Sequence, residues 1–110
     1  MWNYQELIAF LLALEAGQYP EVRLVLWDGL LDETCPIGNF CFHVNGWNVT
    51  AFFDGGDLDY LDEVVSPTGN EYTCEELLSL GDDGDIPDRS DRLEAILKAA
   101  IKAHVVEGQS

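Results

Sequence analysis

The chain has 110 residues and a formal net charge of −16, because 21 acidic residues stand against five Lys and Arg. Apolar residues make up 47% of the chain, which excludes a disordered acidic tail and predicts one folded domain over residues 1–110. The negative charge also disfavours direct binding of nucleic acid. No apolar run is long enough to span a bilayer, and no basic segment precedes the first one, so we expect a cytoplasmic protein without membrane contact.

The first predicted element is a helix that begins after Asn3 and ends near Ala16, with Gly17 behind it. Glu6 stands three residues after Asn3 and completes a capping box. Apolar side chains surround almost the whole helix, as expected of a helix that is buried on two sides. The alternative is that one side contacts a partner, which predicts a homodimer formed through this helix.

A strand over residues 21–27 and a loop over residues 28–38 are predicted next, the loop because it contains a proline and two glycines. Asn45-Gly46 then separates two alternating runs, which is the strongest short signal for a type I′ β-hairpin. The register of this hairpin places seven apolar side chains on one face, namely Phe40, Phe42, Val44, Trp47, Val49, Ala51 and Phe53. The other face of the hairpin carries Cys41, His43, Asn48, Thr50 and Phe52.

The second half of the chain predicts two strands and two helices. The strands cover residues 58–65 and 71–73, and Thr73 with Glu76 forms a capping box for a short helix that ends before Gly81. Residues 81–88 have the composition of an exposed loop, and a regular apolar stripe follows from about Ser90. We expect the terminal helix to cover Phe42, Trp47, Val49 and Phe53.

These elements predict an α+β fold. It consists of an N-terminal helix, an antiparallel β-meander of four to five strands around the Asn-Gly hairpin, and two C-terminal helices packed on one sheet face.

Residues 44–73 resemble an uncharacterised group of small bacterial proteins. The resemblance is carried by Gly46-Trp47, by the acidic and aromatic run Asp57-Leu58-Asp59-Tyr60, and by Val65-Ser66-Pro67 with Gly69. It covers about a quarter of the chain, with a looser fit to the terminal helix. The group has no established activity, so the resemblance favours the fold and implies nothing about chemistry.

A long acidic window is the main functional signal. No Lys or Arg occurs between residues 24 and 88, whereas Asp and Glu number fifteen there. For a compact domain about 35 Å across, the net charge corresponds to about one charge per 2 Å, against about one per 1.7 Å of duplex DNA. A purely solubilising role is one interpretation, and a surface that binds a basic partner is the other.

The second interpretation predicts a small non-enzymatic inhibitor that blocks a basic, nucleic-acid-handling protein by imitating DNA, as an anti-defence or anti-CRISPR-like protein of a bacterium or phage. An immunity protein that neutralises a basic toxin is the alternative. Two acidic clusters would contact the partner, the first with Asp54, Asp57, Asp59, Asp62 and Glu63, and the second with Glu75, Glu76, Asp82, Asp83 and Asp85. Asp57 and Asp59 would be spaced by about 6.6 Å along a strand, and Trp27, Tyr60 and Tyr72 would serve as aromatic anchors.

Metal binding and catalysis are weaker interpretations. The spaced aspartates at residues 54–62 and 82–91 offer oxygen ligands for Ca²⁺, but neither run has the EF-hand spacing. Cys41 and His43 share a strand face, yet their side chains project in parallel and no third group orients them. We therefore expect no enzyme, no cofactor and no metal site, and we expect the three cysteines to be free thiols.

Overall fold

The computed structural model describes residues 4–32 and 34–108, and it forms three helices and five strands. The elements are α1 (Tyr4–Glu15), β1 (Arg23–Leu30), β2 (Ile37–Val44), β3 (Trp47–Asp54), β4 (Asp57–Val65), β5 (Glu71–Thr73), α2 (Cys74–Asp82) and α3 (Asp91–Gly108). The strands form one antiparallel sheet in the order β1-β2-β3-β4-β5. The predicted α+β fold with a β-meander is confirmed, and the meander has five strands.

The central hairpin forms as predicted. Asn45 and Gly46 have φ angles of 48° and 88°, which are the left-handed angles that a type I′ turn requires. The pairing of Val44 with Trp47 fixes the register, and the whole apolar face of the hairpin is buried.

β1 is longer than predicted, because it continues through Gly29 to Leu30 and pairs there with the start of β2. Gly29 and Gly38 lie opposite each other with φ angles of +131° and +118°. A Cβ atom at Gly29 would stand 2.2 Å from the carbonyl oxygen of Ile37, so the two backbones come too close for any side chain. The predicted loop over residues 28–38 is therefore wrong at both of its ends.

α2 begins with the predicted capping box, in which the Thr73 hydroxyl accepts from the backbone of Glu76 and the Glu76 carboxylate accepts from the backbone of Thr73. The helix does not end before Gly81 but continues to Asp82. Gly81 is needed for packing, because a Cβ atom there would stand 2.4 Å from the carboxyl carbon of Asp88.

The segment over residues 81–88 is not the uniformly exposed loop that its composition predicts. The side chain of Ile86 joins the core, and Asp88 lies against Gly81 with 6% of its surface exposed. The segment therefore closes one end of the domain instead of extending into solvent.

The three helices cover one face of the sheet. In α3, Leu93, Leu97 and Ile101 are fully buried. The helix begins near β4, where the Glu94 carboxylate accepts a 2.7 Å hydrogen bond from the Leu58 backbone N–H. It ends near β1, where His104 forms an edge-to-face contact with Trp27 at 5.0 Å. α3 therefore runs across the sheet from β4 to β1.

Trp47 packs against α1, a contact that the sequence did not predict. Its indole ring stacks on Phe10 of α1, with the ring centroids 4.1 Å apart, so α1 covers this end of the hairpin. α1 ends as predicted, with Gly17 at a φ of +75°. Its predicted N-cap, Asn3, lies outside the described residues.

The outer side of α1 leaves Leu12 48% exposed. A homodimer through this helix stays a prediction. None of the helices among the described residues has both the length and the hydropathy that crossing a membrane requires.

Candidate functional site

The face of the sheet that points away from the helices, called here the open face, carries exposed and half-buried side chains. Strand pairing arranges its side chains in rows that run across the strands. The first row contains Arg23, His43, Asn48, Val65 and Glu71; the second contains Leu26, Cys41, Thr50, Glu63 and Thr73; and the third contains Asp28, Asn39, Phe52 and Tyr60. Asp54 and Asp57 pair beyond the third row, at the β3–β4 turn. All of these residues are exposed or half-buried, in contrast to the buried side chains between them.

Two β-bulges in β4 determine which of its acidic residues reach the open face. Leu58, Leu61 and Val64 all face the core although they are three residues apart, because Asp59 and Asp62 are inserted as extra residues in the pairing with β3. Asp57 and Asp59 therefore do not occupy successive positions of one regular strand face, since Asp59 lies within a bulge.

An aromatic pair occupies the acidic end of the open face. Phe52 and Tyr60 stack with their centroids 5.2 Å apart. Partial desolvation raises the pKa of the Tyr60 hydroxyl, and the negative charges of Asp62, Cys74 and Asp59 raise it further. Asp59 and Asp62 thus lie beside an aromatic surface that remains partly exposed.

Cys74 links the two predicted acidic clusters. Desolvation raises the pKa of its thiol most, and Asp62 in β4 and Glu75 in α2 raise it further. Asp62 and Glu75 therefore approach the same thiol from two elements. Asp62 of the first cluster therefore lies near the start of α2, where Glu75 is located.

The rest of the second cluster is separate. The Glu76 carboxylate accepts hydrogen bonds from the Tyr4 hydroxyl and from Thr73, which lower its pKa, so it holds α1 and α2 together. Asp82 lies about 10 Å further along α2 than Glu75 and forms an ion pair with Arg89 at 3.7 Å. Asp83 and Asp85 follow it at that end of the helix and are exposed.

The aromatic anchors differ in their exposure. Tyr72 is fully buried, so its prediction as an anchor is wrong. Trp27 is 38% exposed, but its ring contacts His104 on the helix side of the sheet. Tyr60 is the predicted anchor that lies on the open face.

No cluster of potential metal ligands forms on the open face among the residues described. His43 Nδ1 lies 3.3 Å from the Asn48 side-chain oxygen, and the neighbouring Cys41 is a free thiol. Cys35 and Cys74 are free thiols as well. Within residues 4–32 and 34–108, no three potential ligands among His, Cys, Asp and Glu converge on one point.

The sequence did not predict that Leu26, Asp28 and Asn39 lie on the open face. Leu26 is 67% exposed, which is unusual for a leucine within a strand. Asp28 lies in the segment that the sequence predicts as a loop, and Asn39, its partner across β1 and β2, directly follows that segment. The apolar Leu30 and Ile37, which flank the two glycines, were the available sign that the strands continue.

The domain is elongated, with principal extents of 42, 25 and 23 Å. Sixteen net charges along the 42 Å axis correspond to about one per 2.6 Å, against about one per 1.7 Å for duplex DNA. Searches of protein-family models, of curated proteins and of solved structures find no match to this chain.

Proposed function

We propose that this protein is a small non-enzymatic inhibitor that binds a basic protein surface through its open face. The partner that fits best is a protein that uses the same basic surface to handle nucleic acid. A basic nuclease toxin neutralised by an immunity protein would be one member of that class.

The observation that carries the proposal is the combination of carboxylates and half-exposed aromatics on one uncovered sheet face. Phe52 and Tyr60 stack there, and Asp59 and Asp62 lie beside Tyr60. Protein interfaces commonly have aromatic residues at the centre and polar residues at the rim. A face of this composition suits a protein partner with complementary positive charge.

The distribution of basic residues supports the same interpretation. Four of the five Lys and Arg residues lie between residues 89 and 102, in α3 and the segment before it. Arg23 is the only Lys or Arg within the five strands, and it forms an ion pair with Glu21 at 3.6 Å. The acidic end of the open face therefore projects a field of one sign, which accelerates encounter with a basic partner.

The proposed imitation of nucleic acid rests on the linear charge density of the chain. It does not rest on a regular spacing of carboxylates. The irregular β4 strand does not reproduce the phosphate repeat, but the overall linear charge density is within a factor of about two of that of DNA. A protein that binds DNA mainly through phosphates would respond to such a field.

The test uses affinity capture from the native host at low and high salt, followed by kinetic measurements on the purified captured protein. Two charge-reversal variants change the net charge equally: Asp57→Lys with Asp59→Lys on the open face, and Asp83→Lys with Asp85→Lys beyond α2. All four positions are exposed, so both variants should fold normally.

We expect the open-face variant to slow association by about tenfold or more and to flatten its salt dependence. The variant beyond α2 should have a smaller effect if the open face is the contact surface, and an equal effect if the second predicted cluster also binds. Capture of no basic protein, or capture that neither variant alters, would refute the proposal and leave the acidic surface a solubilising one.

A further inference from the structure

β1 is an uncovered edge of the sheet. Among the described strands it pairs with β2 alone, and it is eight residues long. The opposite edge strand, β5, has three residues and leads directly into α2. Natural sheets commonly protect a long edge with lysine or proline, and β1 contains neither. This edge can therefore pair with another strand.

The exposed apolar side chains of the domain are concentrated at the same edge. Among the described residues, eight large apolar side chains are exposed, and five of them lie in β1 or at the start of β2: Val25, Leu26, Trp27, Leu30 and Ile37. A contiguous apolar patch of this kind commonly marks a contact between proteins.

A groove of about 630 Å³ lies beside this edge on the helix side of the sheet, between β1 and α3. Its lining includes Leu24 and Val25 of β1 and Ala100, Ala103 and His104 of α3. Because the alanine side chains are small, the groove has room for a large apolar side chain from a strand that is added next to β1.

We propose that β1 pairs in antiparallel orientation with β1 of a second copy of this chain, around a two-fold axis between Val25 and Leu26. This inference does not depend on the proposed function. A two-fold contact requires a self-complementary surface, in which each residue meets its counterpart's neighbour in both directions. The edge strand meets that requirement in its faces, its shape and its charge.

The β-bulge at Val25 determines the register. It inserts one residue between Leu24 and Leu26, so Leu24 and Trp27 both face the helices although they are three residues apart. Arg23 and Asp28 both face the open side, where they pair with His43 and Asn39. With the axis between Val25 and Leu26, Leu24 lies opposite Trp27 of the second copy and Arg23 lies opposite Asp28 of the second copy, so each pair shares a face.

Both of these pairs are complementary. Trp27 of the second copy lies beside Leu24 and enters the groove over Ala100 and Ala103. Arg23 meets a carboxylate of opposite charge twice, once on each side of the axis. The ion pair of Arg23 with Glu21 in its own chain leaves the two side chains 68% and 72% exposed, so it holds Arg23 only weakly.

The distribution of charge also favours a second copy at this edge. β1 carries one Arg and one Asp, so its net charge is zero in a chain with a net charge of −16. The acidic clusters lie on β4 and α2, towards the opposite edge of the sheet, so two copies that meet at β1 keep these clusters far apart. A basic strand from another protein finds no excess of negative charge on β1 itself.

The test measures the mass of the purified full chain by sedimentation equilibrium over a range of protein concentrations at one ionic strength. We expect twice the monomer mass at about 100 μM chain and dissociation on dilution. Arg23→Asp and Asp28→Arg each place like charges opposite each other and should weaken the dimer about tenfold. The double variant Arg23→Asp with Asp28→Arg restores opposite charges and should restore the dimer. Both positions are exposed, so all three variants should fold normally.

The control is Leu12→Gln in α1, the helix for which the sequence predicts a different homodimer. This variant should leave the mass unchanged. A wild type that is monomeric at every concentration overturns the pairing of β1 with itself but leaves the proposed binding of a basic partner intact, because that binding uses the acidic end of the open face. A dimer that Leu12→Gln disrupts, or that the double charge variant fails to restore, also overturns it. Circular dichroism identifies a variant that fails to fold, in which case the other single charge variant decides.

Discussion

Replacement of Gly29 by alanine tests whether β1 and β2 pair beyond the predicted loop boundary. A Cβ atom at this position would stand 2.2 Å from the Ile37 carbonyl oxygen, which belongs to backbone that side-chain rotation cannot move. The positive φ of +131° adds backbone strain. Strain of about 1–3 kcal/mol and steric overlap of a similar size together predict a loss of about 2–6 kcal/mol in the free energy of unfolding.

The matched control is Gly55→Ala, because Gly55 also has a positive φ, of +61°, but nothing lies within 4 Å of its added Cβ. This variant should lose only the strain of a left-handed residue, about 1–2 kcal/mol. Urea unfolding followed by tryptophan fluorescence measures both, and a loss of 3 kcal/mol corresponds to a midpoint shift of roughly 1–3 M. Equal losses in the two variants would refute the close approach of β1 and β2, and with it the placement of Asp28 opposite Asn39.

Two further predictions concern the core and the buried carboxylate. Phe42→Ala should lower the free energy of unfolding by about 3–5 kcal/mol. The control Val106→Ala, at a side chain that is 51% exposed, should change it by less than about 0.5 kcal/mol. Similar losses for the two variants in denaturant melts would place Phe42 outside the core. Burial raises the pKa of Asp88 above its ordinary 3.8, and Arg89 offsets this only in part. The neutral carboxyl group therefore stabilises the folded state at low pH, and this stabilisation is lost as the pH rises through the raised pKa. Asp88→Asn should therefore be more stable than the wild type at neutral pH, with a gain that disappears below about pH 4; a gain that does not change with pH would contradict this reasoning.

The hairpin and the cap of α2 could be predicted from the sequence because local chemistry determines both. The angles of Asn45-Gly46 fix the register of β2 with β3, and the alternation of apolar residues then determines the buried face. Thr73 and Glu76 form their capping box within four residues of chain. These features need no information from distant parts of the molecule.

The glycines required tertiary information. Gly29 and Gly38 accommodate each other across two strands, and Gly81 accommodates the Asp88 carboxyl group, so their role depends on residues seven to nine positions away. A glycine indicates a turn and a close approach equally well, and only the packed structure distinguishes the two.

The candidate site divides in the same way. The sequence by itself determined the excess of charge and the window without Lys or Arg, because both are properties of composition. Only the tertiary structure decided that Asp62 of β4 lies near Cys74 of α2, that Tyr4 donates to Glu76, and that Asp28 lies opposite Asn39. These relations depend on two β-bulges and on the docking of the helices. Both result from many weak contacts between residues far apart in the chain, so no local pattern encodes them.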